Sequence, residues 1–437
     1  MAEAVEKINN IERRVKVTVP VAPLETQINE RFIQLTKTAR VQGFRPGKVP
    51  LKIVQQQYGD DVKSEIYTKA IEIRFGEFVE KNNLRVAGMP NIEHQPLNKV
   101  SGDFEFTATF EVFPEFKITD IKKLKISQYE TPVKPDDVKK TIDVLVKQRT
   151  TFNKVDRASK LGDRIKVQLK SFIENKEAES TGEESLEIVL GDTNRIKEFD
   201  EQLVGLKSDV EKSFDIKYPK NHEPKELSNK TVSYQVKVIE VQEPQIPKVD
   251  EDFAKKLGVV DGDIKKMDED IKASLVQEVD RRIKENLKAQ VFKSLVDSHE
   301  IDLPKSLIGL EINRLGEMTF QNLQRQGADM KSVKLEPAMF EERAKVTCKL
   351  RMILGSIVDE NKLEATTDQI RAKVDEFSMN YDDSEQAAKW FYEDPKRLDE
   401  PRALATEDNV VAWVMSSCKV EKKALDFDKL MAAQFDE

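Results

Sequence analysis

The chain has 437 residues, 38% hydrophobic and 35% charged, and its 72 Lys and Arg against 80 Asp and Glu leave a formal net charge of -8. That length is a soft pointer to about three domains, and charge this dense suits long solvated helices better than one compact globule. No run of about 18 apolar residues occurs, which excludes a helical membrane span, and the opening MAEAVEKINN lacks the apolar core of a secretory signal, so a cytoplasmic location is expected.

Cys348 and Cys418 each sit in an apolar helical pattern, so buried thiols in a reducing compartment are expected in place of a disulfide. His94, His222 and His299 lack ligand spacing, so no metal site is expected. No Gly-rich phosphate cradle appears, so no nucleotide or other cofactor is called for. Any catalysis in this chain must work without a metal or an activated nucleophile.

In IERRVKVTVP, Val15, Val17 and Val19 share one face and Arg14, Lys16 and Thr18 the other, a half-buried strand stopped by Pro20. PLETQINERFIQLTKTAR reads as an amphipathic helix opened by Pro23, with Leu24, Ile28, Phe32 and Leu35 at helical spacing. The loop VQGFRPGKVP interrupts it, and helical pattern resumes in LKIVQQQYG and KSEIYTKAIEIRFGEFVEKNN. DFEFTATFEVFP alternates again, with Phe104, Phe106 and Phe110 on one face, which closes a small α+β domain near Pro114.

From Arg31 to Gly59 there is no acidic residue, while Arg31, Lys37, Arg40, Arg45, Lys48 and Lys52 all fall in that window. Cations alone read as a solvated helix face. Phe44 changes the reading, because a ring on a Gly-flanked turn has no local core to enter and is either tucked back or presented to a partner.

Residues 115–149 read as a connector that opens a helix at Asp136 or Asp137. Residues 150–243 are strand-rich: DRIKVQLKSF, SLEIVLG, SFDIKYP and TVSYQVKVIEV alternate around one short helix in RIKEFDEQLVG, an antiparallel sheet wrapped on a helix. QEPQIPKVDEDF reads as a linker. Residues 244–437 are helical: Ile271, Leu275, Val279, Ile283, Leu287, Val291 and Leu295 recur every four residues. Further helices begin after Pro304 and at Pro337, and DQIRAKVDEFSMNY and EDNVVAWVMSSCKVEKKAL complete the set.

Gly43-Phe44-Arg45-Pro46-Gly47-Lys48-Val49-Pro50 after a basic helix resembles the ribosome-docking signature of the trigger factor family, bacterial chaperones of the peptide exit tunnel. EVFPEFKITD, KTIDVLVKQR, IDLPKSL and the order of segments extend the resemblance over nearly the whole chain. It implies a multidomain α+β protein with a ribosome-binding domain over 1–114, an FKBP-like isomerase domain over 150–243 and an all-helical chaperone domain over 244–437. The partners it implies are exit-tunnel protein and ribosomal RNA at Gly43, Phe44, Arg45, Pro46, Gly47, Lys48 and Pro50, nascent or unfolded polypeptides, no membrane, and a homodimer off the ribosome. Pro46 stands where relatives often carry a third cation, so weaker salt-dependent attraction is expected.

FKBP-type isomerases favour a twisted X–Pro amide in a dry aromatic pocket, against a barrier of about 18–20 kcal/mol. Carried over by position, that pocket is Leu169, Ile196, Phe199, Tyr218, His222 and Tyr234. Gln168 and Leu169 stand where relatives have Asp-Phe, Lys197 and Glu198 replace Pro-Gly, and His222 replaces a tyrosine, so a wetter pocket with weak or absent activity is expected. In the helical part, Met318, Phe320 and Leu323 are the candidates for client contact. The resulting reading is an ATP-independent chaperone. Its rivals are a prolyl isomerase whose other domains only recruit substrate, and an adaptor that uses the basic tip alone.

Overall fold

The computed structural model describes residues 5–45, 47–96, 103–173, 176–177, 184–192, 196–219, 230–327, 334–379, 381 and 383–435. The chain forms two compact units, each built from separate stretches: Met1–Gln128 with Lys284–Lys423, and Tyr129–Ile283 with Ala424–Glu437.

The N-terminal part carries strands β1 (Val5–Lys7) and β2 (Glu12–Val19), helices α1 (Ala22–Thr38) and α2 (Leu51–Lys81), and strands β3 (Val86–His94) and β4 (Phe104–Val112). The antiparallel sheet runs β1-β2-β4-β3. Alternation in β2 and β4 buries Val15, Val17, Val19, Phe104, Phe106 and Phe110 beneath Leu24, Ile28 and Phe32 of α1 and Tyr67, Ile71 and Phe78 of α2. α2 is a single helix of 31 residues that passes through Gly59 and Gly76, joining the two helical stretches seen in the sequence. Each interior glycine costs about 1 kcal/mol, and Val54, Val62 and Phe78, all buried, hold the helix to the sheet around them.

β3 was not legible as a strand. It pairs Val86 and Ala87 with Val112 and Glu111, then resumes only at Asn91 opposite Thr109, so Gly88, Met89 and Pro90 bulge out and break the alternation. Gly88 has φ +78°, and a Cβ there would lie 2.5 Å from Ser306 Cβ and 2.6 Å from its Oγ.

Strand β5 (Lys125–Glu130) and helix α3 (Pro135–Gln148) occupy the stretch read as a connector. The Asp137 carboxylate accepts from the Lys134 N–H at 2.8 Å, one residue before the helix. The strand-rich middle comprises β6 (Thr151–Lys154), β7 (Arg164–Ile173), β8 (Lys176–Glu177), β9 (Glu184–Val189), α4 (Lys197–Leu203), β10 (Glu211–Lys217) and β11 (Thr231–Gln245). The antiparallel sheet runs β10-β11-β7-β8, with β6 also on β11 and β9 on β7. β11 continues through Pro244 to Gln245, opposite β6, so the start of the expected linker is strand.

Helix α5 (Glu251–Lys256) opens on Asp250, whose side chain accepts from the Phe253 N–H. α6 (Ile264–Asp297) carries the four-residue stripe: Val279 and Ile283 belong to a core with Tyr129, Leu425 and Leu430, and Val291 and Leu295 to another with Ile126, Ile353, Val410 and Val414. α7 (Lys305–Arg325), α8 (Glu341–Asn361), α9 (Thr367–Ser378), α10 (Ser384–Tyr392), α11 (Asp399–Ser417), β12 (Lys419–Ala424) and α12 (Phe427–Met431) follow. Pro337–Phe340 is a 3₁₀ turn leading into α8. The helix expected over residues 407–425 ends at Ser417, and Lys419–Ala424 is a strand on β5, tertiary pairing having overridden local helix preference. On β5, the Gln290 side-chain amide of α6 accepts from Ser127 N–H at 3.0 Å and donates to Ser127 C=O at 2.9 Å.

Both cysteines are free thiols, Cys348 buried and Cys418 half-buried, and burial pushes both above the usual thiol range. His299 is buried: its Nε2 accepts from the Thr119 N–H at 2.9 Å, which leaves the ring proton on Nδ1 to donate to Leu295 C=O at 2.6 Å. No helix among the described residues is long and apolar enough to cross a membrane.

Glu111, on β4, receives the N-terminus of α7. One carboxylate oxygen accepts from the Lys305 N–H at 2.9 Å and the other from the Ser306 N–H at 2.8 Å. Ser306 Oγ lies 2.6 Å from Glu111 and 2.7 Å from Ala87 C=O, sharing one proton between two acceptors. Burial alone would raise the Glu111 carboxyl, but the bonds from Ser306 and Lys305 outweigh it and hold it below the ordinary range. A depressed carboxyl stabilises the fold fully above its unfolded value of about 4.3 and loses that contribution as pH falls through the folded value. The stability gap between wild type and Glu111→Gln, read from denaturant midpoints, is therefore expected to shrink from pH 6 to pH 3. Gly88→Ala should cost about 2 kcal/mol or more at any pH, from the positive φ and the overlap with Ser306, and a midpoint equal to wild type would contradict the close approach.

Candidate functional site

The loop between α1 and α2 is two consecutive turns. Phe44 N–H donates to Val41 C=O at 3.1 Å and Lys48 N–H to Arg45 C=O at 3.0 Å. In each turn the third residue is glycine with positive φ, +89° at Gly43 and +82° at Gly47, the angle that turn position requires. Pro46 lies outside the described residues. Val49 is buried at 4% exposure and Val41 packs against the same core, so both ends of the loop are anchored. Between them Phe44 is 40% exposed. Arg45, Gly47, Lys48 and Pro50 are exposed, as are Lys37, Arg40 and Lys52.

Among the described residues, the side chains of Arg45 and Lys48 have no ion-pair partner. Arg31 differs from the other cations of the window. The hairpin of α1 and α2 brings Glu65 to within 3.3 Å of it, a neutralisation that lies beyond the acid-free stretch of sequence.

In the strand-rich middle, Leu169, Phe199, Tyr218 and Tyr234 are buried at 8–9% exposure, and Ile196 packs half-buried against them. Phe199 meets Tyr234 edge-on at 5.2 Å and Phe214 at 5.5 Å. Sequence reasoning did not single out Phe214. The signal was its place opposite Tyr234 in the β10/β11 register. His222 lies outside the described residues.

Tyr218 Oη and Tyr234 Oη are 2.5 Å apart. Burial, and then that hydrogen bond, push the Tyr234 phenol above its usual value. Gln168 faces away from the cluster. Strand alternation puts it on the other side of β7 from Leu169, in a groove with Lys170 and Lys237. Lys197 and Glu198 are exposed in the first turn of α4.

On α7, Met318 and Phe320 are 48% and 45% exposed, and Leu323 is half-buried. Leu310 on the same helix, Met339 in the 3₁₀ turn and Val346 on α8 are also exposed, and these three were not anticipated. Apolar spacing along α7 and α8 does not by itself separate residues that face a core from those left open. Glu311, only 3% exposed, is held by Arg314 and, at 3.2 Å, by Arg351. The Arg314 hydrogen bond keeps its carboxyl below the usual range.

Strands β7 to β10, most of β11, helix α4 and the aromatic cluster lie within residues 155–239, which match the family described as FKBP-type peptidyl-prolyl cis-trans isomerase. The middle of the chain is thus an FKBP-type isomerase domain. Residues 1–145 match the bacterial trigger factor protein family, and residues 263–416 match its C-terminus. A trigger factor of Methylobacillus flagellatus is 47% identical over 431 residues, 99% of each chain. Those of Chromobacterium violaceum and Nitrosospira multiformis are each 38% identical, over 99% of this chain and 100% and 99% of their own. The chain belongs to the trigger factor family, ribosome-associated chaperones of nascent chains that carry an FKBP-type domain.

The fold favours the neutral Tyr234 phenol, so its contribution to stability is full below about pH 10 and declines as pH rises further. Tyr234→Phe is expected to lose about 1 kcal/mol at pH 7 with the phenol–phenol bond. It should also lose the part of the alkaline decline that belongs to this group, measured by chemical unfolding between pH 8 and pH 11.

Proposed function

We propose that this chain docks beside the ribosomal exit tunnel through the Phe44 loop and shields emerging apolar segments with its helical region, without ATP. The observation that carries this reading is the exposed Phe44 between two anchored valines, beside cations that have no ion-pair partner among the described residues. The ring can bury apolar area on ribosomal protein or stack on an unpaired base. Arg45 and Lys48 can meet phosphates or carboxylates. The negative charge of the rest of the chain limits binding to RNA elsewhere. Docking is assigned to residues 1–114, isomerisation to 150–243 and client handling to 244–437, with 115–149 between them, in a cytoplasmic protein that pairs with a second copy when off the ribosome.

Client contact is assigned to Met318, Phe320 and Leu323, joined by Leu310, Met339 and Val346. Apolar side chains left wholly or partly open on α7, α8 and the turn before α8 suit many weak contacts with varied segments. For the isomerase, Leu169 supplies no ring, and the two phenols that reach the cluster bond to each other. Activity on X–Pro bonds is therefore weak, and the chaperone function does not depend on it.

Ribosome co-sedimentation across a salt series tests the docking loop. Phe44→Ala/Arg45→Ala is expected to pellet less at every salt concentration. Its plot of log affinity against log salt should be shallower by about 0.7–0.9, the share of a single phosphate that Arg45 would neutralise. Equal pelleting of both proteins would remove the loop from docking. In a protease-coupled assay on an X–Pro peptide, Phe199→Leu should lower an already low rate while leaving suppression of aggregation intact. Joint loss of both activities would favour the reading in which the isomerase is the function and the other domains recruit its substrate.

A further inference from the structure

A cleft of about 630 Å³ opens between α7, α8 and the segment that follows β4. That volume is in the range of sites that hold a ligand or a few side chains. Its walls include Phe113, Phe116, Leu310 and Met352. Leu310 is 59% exposed, and apolar surface left open beside a concave wall is costly unless something covers it.

The charges around this cleft are separated by sign along α8. Arg351, Gly355 and Asp359 all line it, four residues apart on one face. Eight residues of helix put Arg351 and Asp359 about 12 Å apart. At the first end, Arg314 and Arg351 both bind the buried Glu311, but Arg351 gives it one contact of 3.2 Å and its side chain is 65% exposed. Donors of that guanidinium remain to be used. At the other end Asp359 is exposed, with no hydrogen-bond or ion-pair partner among the described residues, and Glu360 lies next to it. In the middle a Cβ on Gly355 would meet nothing within 4 Å, so the helix face between the charged ends is open. Arg85 and Glu115 add one charge of each sign to the rim.

We propose that this cleft binds an extended polypeptide segment with apolar residues at its centre and opposite charges about four residues apart, the acidic one at Arg351 and the basic one at Asp359. An extended chain advances about 3.3 Å per residue, so four residues span the 12 Å between the two ends. The inner side chains cover Leu310 and Met352. The flanking carboxylate meets the spare donors of an exposed guanidinium, a charge-assisted bond that weakens as salt is added. A uniformly acidic or uniformly basic segment leaves one end facing a like charge. The proposal rests on the reading that the helical region handles unfolded chains, and it adds a preference within that reading.

The test uses the full chain and three labelled peptides with Gly-Ser flanks: Glu-Leu-Phe-Leu-Lys, its neutral analogue Gln-Leu-Phe-Leu-Gln and the doubly acidic Glu-Leu-Phe-Leu-Glu. Fluorescence anisotropy in low-salt buffer is expected to give the first peptide about threefold to tenfold tighter binding than either of the others. In Asp359→Lys/Glu360→Lys the order should invert, with the doubly acidic peptide binding best. Leu310→Gln should weaken all three alike. Both variants change exposed side chains, and matching thermal unfolding with wild type confirms that they fold. Equal affinities on wild type, or the same order on the charge-reversed variant, would overturn the proposal. Suppression of aggregation of an unfolded protein is measured alongside. If suppression persists while the peptides show no order, the cleft proposal fails and client handling stands; if wild type does not suppress aggregation, client handling fails.

Discussion

A carboxylate placed at the start of a helix ties the N-terminal sheet to α7 within one compact unit. Glu111 accepts from the first two backbone N–H groups of α7, and Ser306 turns back to the bulged strand β3. Helix N-termini leave N–H groups unsatisfied and carry partial positive charge, so an acceptor from a neighbouring strand is worth up to about 2 kcal/mol there. The contact brings α7 so close that a Cβ at residue 88 would overlap Ser306. The cleft beside α7 and α8 takes one of its walls from the segment directly after β4. Its shape therefore depends on the same junction.

Much of the fold could be read from periodicity. Strands β2, β4, β7, β9, β10 and β11 follow alternation, and α1, α6 and α7 follow helical spacing, α1 and α7 with proline at or near their starts. What escaped had a physical cause in each case. Gly88 and Pro90 hid β3. Lys419–Ala424 has a helix-forming composition and becomes a strand only because β5 lies beside it. β11 continues through Pro244 because its partner there is the short strand β6.

The candidate sites were legible to different depths. The docking loop announces itself locally, since two glycines, a ring and two cations within six residues already define its turns. The aromatic cluster needed the register of β10 and β11 to bring in Phe214, and strand alternation to set Gln168 on the opposite face from Leu169. The cleft could not be read at all. Its charges come from two helices and two connecting segments far apart in sequence, and Glu311 looks like any other surface carboxylate until Arg314 and Arg351 close on it.

The Gln290 amide on β5 has a consequence for a protein that meets unfolded chains. A strand with a free side offers a template on which another chain can grow a sheet. At Ser127 both backbone groups are taken by one side chain, which imitates a single residue of a neighbouring strand and then stops. β12 occupies the opposite side. An incoming polypeptide finds no continuous ladder to extend along the β5 edge at this point.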